Sequence, residues 1–303
     1  LFQGACSLPV PTEILHGPLV RHKLLFCCLL LLILSGCIWP ERSPNRGIEV
    51  NFREEKPSPG AFLPPAEAGE EAAVSGAAYH PEAKKVVYLT FDDGPSRHFT
   101  PRVLDILARY QVKATFMVVG VNIPQNRDVV QRIIVEGHAL GNHTYSHDYK
   151  KIYRSPDAFV QDLRLCGDLL QEFTGRPVKI FRAPGGPGNL SPALKQQLKQ
   201  LGYHSVGWNI TGDDANPHGA SAEHIYRTVM EGVMRVEKTN AAPVILLHDG
   251  ADLHTLEAPP NSALARYIET RKNLILALPK IIESLRARGY TFAVVDEKTP
   301  GPR

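Results

Sequence analysis

Short apolar runs punctuate the chain at 86–91, 115–119, 138–141, 178–182, 204–208, 244–247 and 291–295. They are rich in β-branched and aromatic residues and end at polar or Gly/Pro positions, the pattern of buried strands. Stretches with helical spacing lie between them. Residues 101–110 place Val103, Leu104, Ile106 and Leu107 on one face. Ser155, Pro156 and Asp157 read as an N-cap, a first-position proline and a first-turn acid. The helix they open carries Phe159, Val160, Leu163, Leu169, Leu170 and Phe173. Ser191 and Pro192 open the next helix and Gly202 closes it. Residues 221–237 and 274–287 complete the set. Strand–helix alternation predicts an α/β fold with a mainly parallel sheet. Seven strands suit a (β/α) barrel one unit short of the eightfold form, or an open doubly wound sheet. The pattern holds over 84–297, with a short tail at 298–303, no internal repeat and no second domain.

Upstream the pattern is absent. Residues 1–20 carry Pro and Gly without periodicity and predict no element of the fold. Arg21, His22 and Lys23 then precede an apolar run at 24–34. A basic segment followed by a short apolar core reads as a secretory signal, too short for a spanning helix of about 20 residues. Leu34-Ser35-Gly36-Cys37 resembles the bacterial lipoprotein box, which implies a lipidated Cys37 and a membrane anchor. A plain cleaved signal and an uncleaved anchor are the alternatives. All three place the domain outside the cytoplasm. Residues 38–83 hold Pro40, Pro44, Pro57, Pro59, Pro64, Pro65 and Pro81 among scattered Glu, the composition of an extended tether.

The net charge of +3 is too small to suggest nucleic acid as a partner. Of the five cysteines only Cys166 falls inside the domain. No disulfide can form within it, and Cys166 reads as a core residue on an apolar helical face. A monomer is expected.

The chemistry gathers at strand ends. The run from Val86 stops at Asp92, Asp93, Gly94 and Pro95, so two carboxylates stand at a strand's C-terminal end, where ligand chemistry collects in α/β folds. Side chains alternate along a strand, so one aspartate can bind a metal while the other stays free as a base. A turn that merely closes a strand is the competing reading. His143 and His147 follow another run, four residues apart, a spacing that puts both imidazoles on one side of a helical turn or loop. Two histidines plus one carboxylate form a common catalytic zinc set with a position left for water, although surface histidines also take this spacing. Arg182 ends a further strand. It could cap a sheet edge, or hold a nearby carboxylate ionised and oriented. His248 leaves the run at 244–247, where a histidine is often just a satisfied core-edge residue.

Thr90-Phe91-Asp92-Asp93-Gly94 resembles the first motif of the polysaccharide deacetylases, the NodB-homology carbohydrate esterases. The string from Gly141 to His147 resembles the second motif, Arg182 to Gly186 the third, and Leu246 with His248 the fifth. The resemblance spans residues 86–296 and implies a distorted seven-stranded (β/α) barrel. By position it implies Asp93, His143 and His147 as metal ligands, Asp92 as base, Arg182 as its partner and His248 as general acid. It also implies that Leu246 lines an acetyl-methyl pocket and that Gly185 offers its N–H to an oxyanion. The ion implied is divalent, Zn2+ first, with Co2+, Mn2+ or Ni2+ as alternatives.

The sequence departs from the family pattern in places. Ala183 stands for a proline and Gly185 for a tyrosine. Trp208, expected to face the substrate, opens the degraded fourth motif, in which Asp214 lines up best to support His248. Asp213 is the alternative, Ala215 stands where the family has tryptophan, and a polar turn after a strand is the competing reading of this stretch. Two aromatic walls are thus missing. The stretch 249–270, expected as a long loop beside the catalytic strand, is a candidate source of replacements. Its Tyr267 is the residue to stack on a sugar, and Arg271 just beyond it resembles a family arginine.

The activity implied is metal-dependent removal of N-acetyl groups from an extracellular glycan, peptidoglycan or chitin-like oligomers first. An O-acetyl xylan esterase with the same site and a catalytically silent carbohydrate-binding domain are the alternatives.

Overall fold

A computed structural model describes residues 85–299. Cys37, the signal segment, the tether and the last residues of the tail lie outside them. The elements run β1 (Lys85–Asp92), α1 (Thr100–Arg109), β2 (Thr115–Val118), α2 (Arg127–Val135), β3 (Ala139–Asn142), α3 (Tyr149–Ile152) and α4 (Pro156–Thr174). They continue with β4 (Ile180–Phe181), α5 (Pro192–Gln200), β5 (His204–Ser205), β6 (Ile210–Thr211), α6 (Ala222–Val236), β7 (Val244–His248), α7 (Ala263–Ala287) and β8 (Tyr290–Ala293).

All pairings are parallel, in the order β5-β4-β3-β2-β1-β7-β6, with β8 joined to β1 alone. The seven strands on this path form the distorted barrel wall, and it does not close between β5 and β6. β1 is its hub. Its first half, Lys85–Tyr88, pairs with β8, and its second half lies between β2 and β7.

Alternation along β1 divides two cores. Val87, Leu89 and Phe91 join the large cluster with residues of α1, α6 and α7, whereas Tyr88 packs in a small inner cluster with Met117, Val206 and Val295. Thr90 and Asp92 share the inner parity, so their polar groups face the barrel interior. The helix starts follow their caps: Ser155, Ser191 and Ser221 each accept a hydrogen bond from the backbone N–H three residues on. Cys166 is buried in the large cluster, as its helical position predicted.

Several expectations change. The run at 204–208 is strand only at β5. A second short strand, β6, follows at Ile210–Thr211, where the sequence suggested a polar turn. It forms because Ile210 and Thr211 find partners in Ile245 and Leu246 of β7. α2 was not expected, although Val129, Val130 and Ile133 give it a buried face. α7 begins at Ala263, not 274, capped by Ser262, whose hydroxyl accepts from Ala265 N–H. The long loop therefore shortens to 249–262, and Tyr267 stands on a helix.

Candidate active site and metal centre

Strand register makes the first half of the site. Asp92 lies opposite His248 of β7 on one side and Met117 of β2 on the other. Strict alternation would send Asp93 to the helical side of the sheet. Instead it adopts φ +78°, which ends the strand and turns its carboxylate back toward the barrel mouth. Both aspartates therefore meet the same histidine: Asp92 Oδ2 is 3.7 Å and Asp93 Oδ1 3.6 Å from His143 Nε2. Asn122 Nδ2 donates to Asp93 O at 2.8 Å, and Gly94 N–H donates to the buried Asp249 carboxylate at 3.2 Å. A side chain on Gly94 would meet Asp249 Oδ2 at 2.2 Å, so the turn requires glycine.

His143 and His147 do not share a helical turn. They lie in a loop between β3 and α3, with Thr144 at φ +68° and His147 at φ +52°. Asp162 of α4 accepts from the backbone N–H groups of Tyr145 and Ser146, at 2.7 and 2.9 Å, and pins the loop. The outcome matches the expected side-by-side placement, with ring centroids 4.9 Å apart. His147 Nε2 is 3.5 Å from Asp93 Oδ1. One donor atom each from Asp93, His143 and His147 lies within 4.8 Å of the others. His143 Nδ1 sits 2.8 Å from the Arg182 carbonyl. As an N–H there it leaves Nε2 unprotonated toward Asp93, the usual outer support of a metal-bound imidazole. Burial, then the charge of His143, lowers the pKa of His147 and favours the neutral ligand form. Burial would raise Asp93, but the positive charges of His248, His143, His147 and Arg271 outweigh it and hold the carboxyl below its usual value. These groups suit a divalent cation.

Arg182 is fully buried and centres the second half. Its Nη1 donates to Asp92 Oδ1 at 2.6 Å and to Thr90 Oγ1 at 2.8 Å. Nε and Nη2 donate to the carbonyls of Val206 and Gly207. The guanidinium carbon lies 5.5 Å from the Trp208 ring centroid. Trp208, expected at the substrate, packs over Arg182 instead and lines a separate cavity of about 500 Å³ beside α5.

His248 is held by Asp214, not Asp213. Asp214 Oδ1 lies 3.0 Å from His248 Nδ1, and Oδ2 accepts from His248 N–H at 2.8 Å. Arg271 binds the carbonyls of both His248 and Asp214. Asp213 turns outward to His224, at 2.8 Å. Burial disfavours the His248 cation, but the charge and hydrogen bond of Asp214, with Asp93 and Asp92 adding, push its pKa up to about 9. A cavity of about 190 Å³ joins His248, Asp214, Asp93, Tyr267 and Arg271. Leu246 is buried two positions before His248 on the same strand face. Ala215 lines the cavity, where its small side chain leaves room. Gly185 adopts φ +71° in the turn after Arg182. Thr90, Asn122, Asp249 and Tyr149 were missed in the sequence. Thr90 alone had a signal, lying two residues before Asp92 on one face.

Comparison with known proteins places this architecture. Residues 79–206 match the family model for polysaccharide deacetylase. A peptidoglycan-N-acetylglucosamine deacetylase of Bacillus cereus is 31% identical over 217 residues, spanning 72% of this chain and 89% of its own. The chain belongs to the polysaccharide deacetylase family. Another relative of this deacetylase, a peptidoglycan-N-acetylmuramic acid deacetylase of Bacillus subtilis, is 24% identical across 89% of this chain and 93% of its own. Among solved structures, a Streptococcus mutans CE4 esterase superposes with a TM-score of 0.60 at 30% identity, covering 70% of this chain and 87% of that one. The catalytic domain of a peptidoglycan N-acetylglucosamine deacetylase from Eubacterium rectale gives 0.59 at 29% identity, covering 77% and 98%. The polysaccharide deacetylase reading of the sequence therefore stands, and with it dependence on a metal ion.

Proposed function

We propose that this deacetylase removes N-acetyl groups from the amino sugars of peptidoglycan, with chitin-like oligomers as smaller substrates. The observation that carries the reading is the pairing of Asp92 with His248 across adjacent strands, beside the Asp93, His143 and His147 donors. Peptidoglycan is favoured because both curated relatives described above are named for it.

Asp93, His143 and His147 would hold the ion, Zn2+ in our reading, since two imidazoles and a carboxylate with room for water are its common catalytic set. Co2+, Mn2+ and Ni2+ accept the same donors. A divalent ion there would supply Lewis acidity toward the acetamide carbonyl and ease ionisation of water. Asp92, fixed by Arg182, takes a proton from the attacking water. The water oxygen bonds to the carbonyl carbon, and Gly185 N–H is the protein donor proposed for the oxyanion. The C–N bond then breaks as His248 gives its proton to the amine, yielding acetate and a free amino group. Asp214 keeps His248 protonated and aimed for that step. Leu246 closes the floor beside the acetyl methyl, and Tyr267 borders the His248 side.

The test is acetate release from peptidoglycan fragments, chitooligosaccharides and acetylxylan, with and without a chelator. Release from the first two that stops on chelation and returns with Zn2+ is expected. Release from acetylxylan alone would make the protein an O-acetyl esterase, and no release from any glycan refutes the reading. We further propose an extracytoplasmic location through lipidated Cys37, supported by the basic and apolar residues before it. Cys37→Ser should then move the protein from the membrane fraction to the soluble one. Retention in membranes points to an uncleaved anchor.

A further inference from the structure

We propose that Tyr149 is a sugar-contacting residue, its ring forming the wall of the substrate groove on the His147 side and adding affinity for a pyranose chain. The inference rests on the deacetylase reading above. Tyr149 opens α3 two residues after His147, and 47% of it is exposed. The ring meets His147 edge-on, with centroids 5.7 Å apart and planes at 79°. Behind it stands Tyr153 at 5.8 Å, whose hydroxyl donates to the Pro184 carbonyl at 2.6 Å. The ring is thus braced by a candidate metal ligand on one flank and by an anchored aromatic on another, yet much of it faces water.

Gly185 shows that the space is shared. A Cβ at that position would come within 2.8 Å of Tyr149 Oη and 3.0 Å of its Cε1. The turn after Arg182 is therefore shaped around the tyrosine, and the phenol lies against the backbone proposed to face the oxyanion. Tyr267 stands on the His248 side, but its hydroxyl already accepts from Ala251 N–H at 2.6 Å. A rigid, amphipathic ring held half-exposed beside reactive groups offers contact area at low entropic cost. The apolar C–H face of a pyranose is the chemistry that fits it.

The test separates binding from turnover. In Zn2+-loaded Asp92→Asn protein, calorimetry would measure the affinity for the β-1,4-linked tetramer of N-acetylglucosamine. Adding Tyr149→Ala should weaken binding about tenfold, the size of one aromatic contact, with metal content unchanged. Tyr149→Phe should recover most of it. In the otherwise wild-type enzyme, Tyr149→Ala should raise KM for the tetramer far more than KM for a small aryl acetate, which has no sugar to stack. Equal affinities with and without Tyr149→Ala overturn the proposal, as does a tetramer that fails to bind the Asp92→Asn protein. Equal losses in the Ala and Phe variants overturn it too, because the hydroxyl and not the ring would then carry the contact. A tetramer that binds through Tyr149 but yields no acetate in wild type sinks the proposed activity and leaves the contact standing.

Discussion

Replacing Arg182 with methionine tests whether the fold depends on the same pair that is proposed to serve the chemistry. Arg182 makes four hydrogen bonds, to Asp92, Thr90, Val206 and Gly207, from a fully buried position. Methionine fills much of the volume but donates nothing. The Asp92 carboxylate would then be buried without its cation, and the two carbonyls would lose their donors. Breaking a buried ion pair from one side costs about 3–5 kcal/mol, a large share of a stability of about 5–15 kcal/mol. Urea unfolding of chelated protein should therefore show a loss of that size. Asp92→Asn removes the stranded charge, so the double variant should recover about 2 kcal/mol relative to additivity, within the range of coupled neighbours. Arg182→Lys should fall between, because an ammonium on a flexible stem cannot span two carbonyls and a carboxylate at once. An Arg182→Met variant within about 1 kcal/mol of wild type, or strict additivity in the cycle, would show that water or rearrangement already satisfies Asp92.

Asp93→Ala and His143→Ala should each abolish metal binding and acetate release, and metal retained at full occupancy in the double variant would show the donors to be misassigned. Asp92→Asn should keep its metal while turnover falls by roughly two orders of magnitude or more; metal lost instead would make Asp92 a ligand. Asp214→Asn removes the charge that holds the His248 pKa up. An acid is active below its pKa, so activity should be lost as pH rises through a lower value than in wild type, where the pKa is about 9. A pH–rate profile with an unmoved alkaline limb would assign that limb to another group.

The candidate residues were legible because each ends or follows a strand run, where apolar pattern and polar chemistry change together. Asp92, Arg182 and His248 needed little beyond that change, and β1, β2, β3 and β7 lie where the runs predicted. What could not be read depends on backbone conformation or on distant partners. The positive φ of Asp93 brings two carboxylates to one mouth against the alternation rule, and of the helical turn or loop that the histidine spacing allowed, positive φ at Thr144 and His147 makes the loop. β6 is too short to announce itself and exists only because β7 pairs with it. α7 hid its start because residues 263–273 mix apolar and polar side chains without a clear helical stripe; the signal was Ser262, a cap just after Pro259 and Pro260. Trp208 was sent to the substrate by its neighbours in sequence, whereas the cation of Arg182 claims its ring.

The three partners of β1 also order the birth of the enzyme. A chain made from its N-terminus presents β1 and β2 early, so that edge can zip at once. The opposite edge waits for β7, and Lys85–Tyr88 wait for Tyr290–Ala293, near the end of the described chain. Until then a strongly apolar strand has a bare edge, the kind of surface that invites chaperones or aggregation during synthesis. The three candidate metal donors all lie between residues 93 and 147, and the proposed acid arrives only at 248. A nascent chain thus exposes its candidate metal donors well before its proposed proton donor, and that centre is completed by the same late strand that covers the second edge of β1.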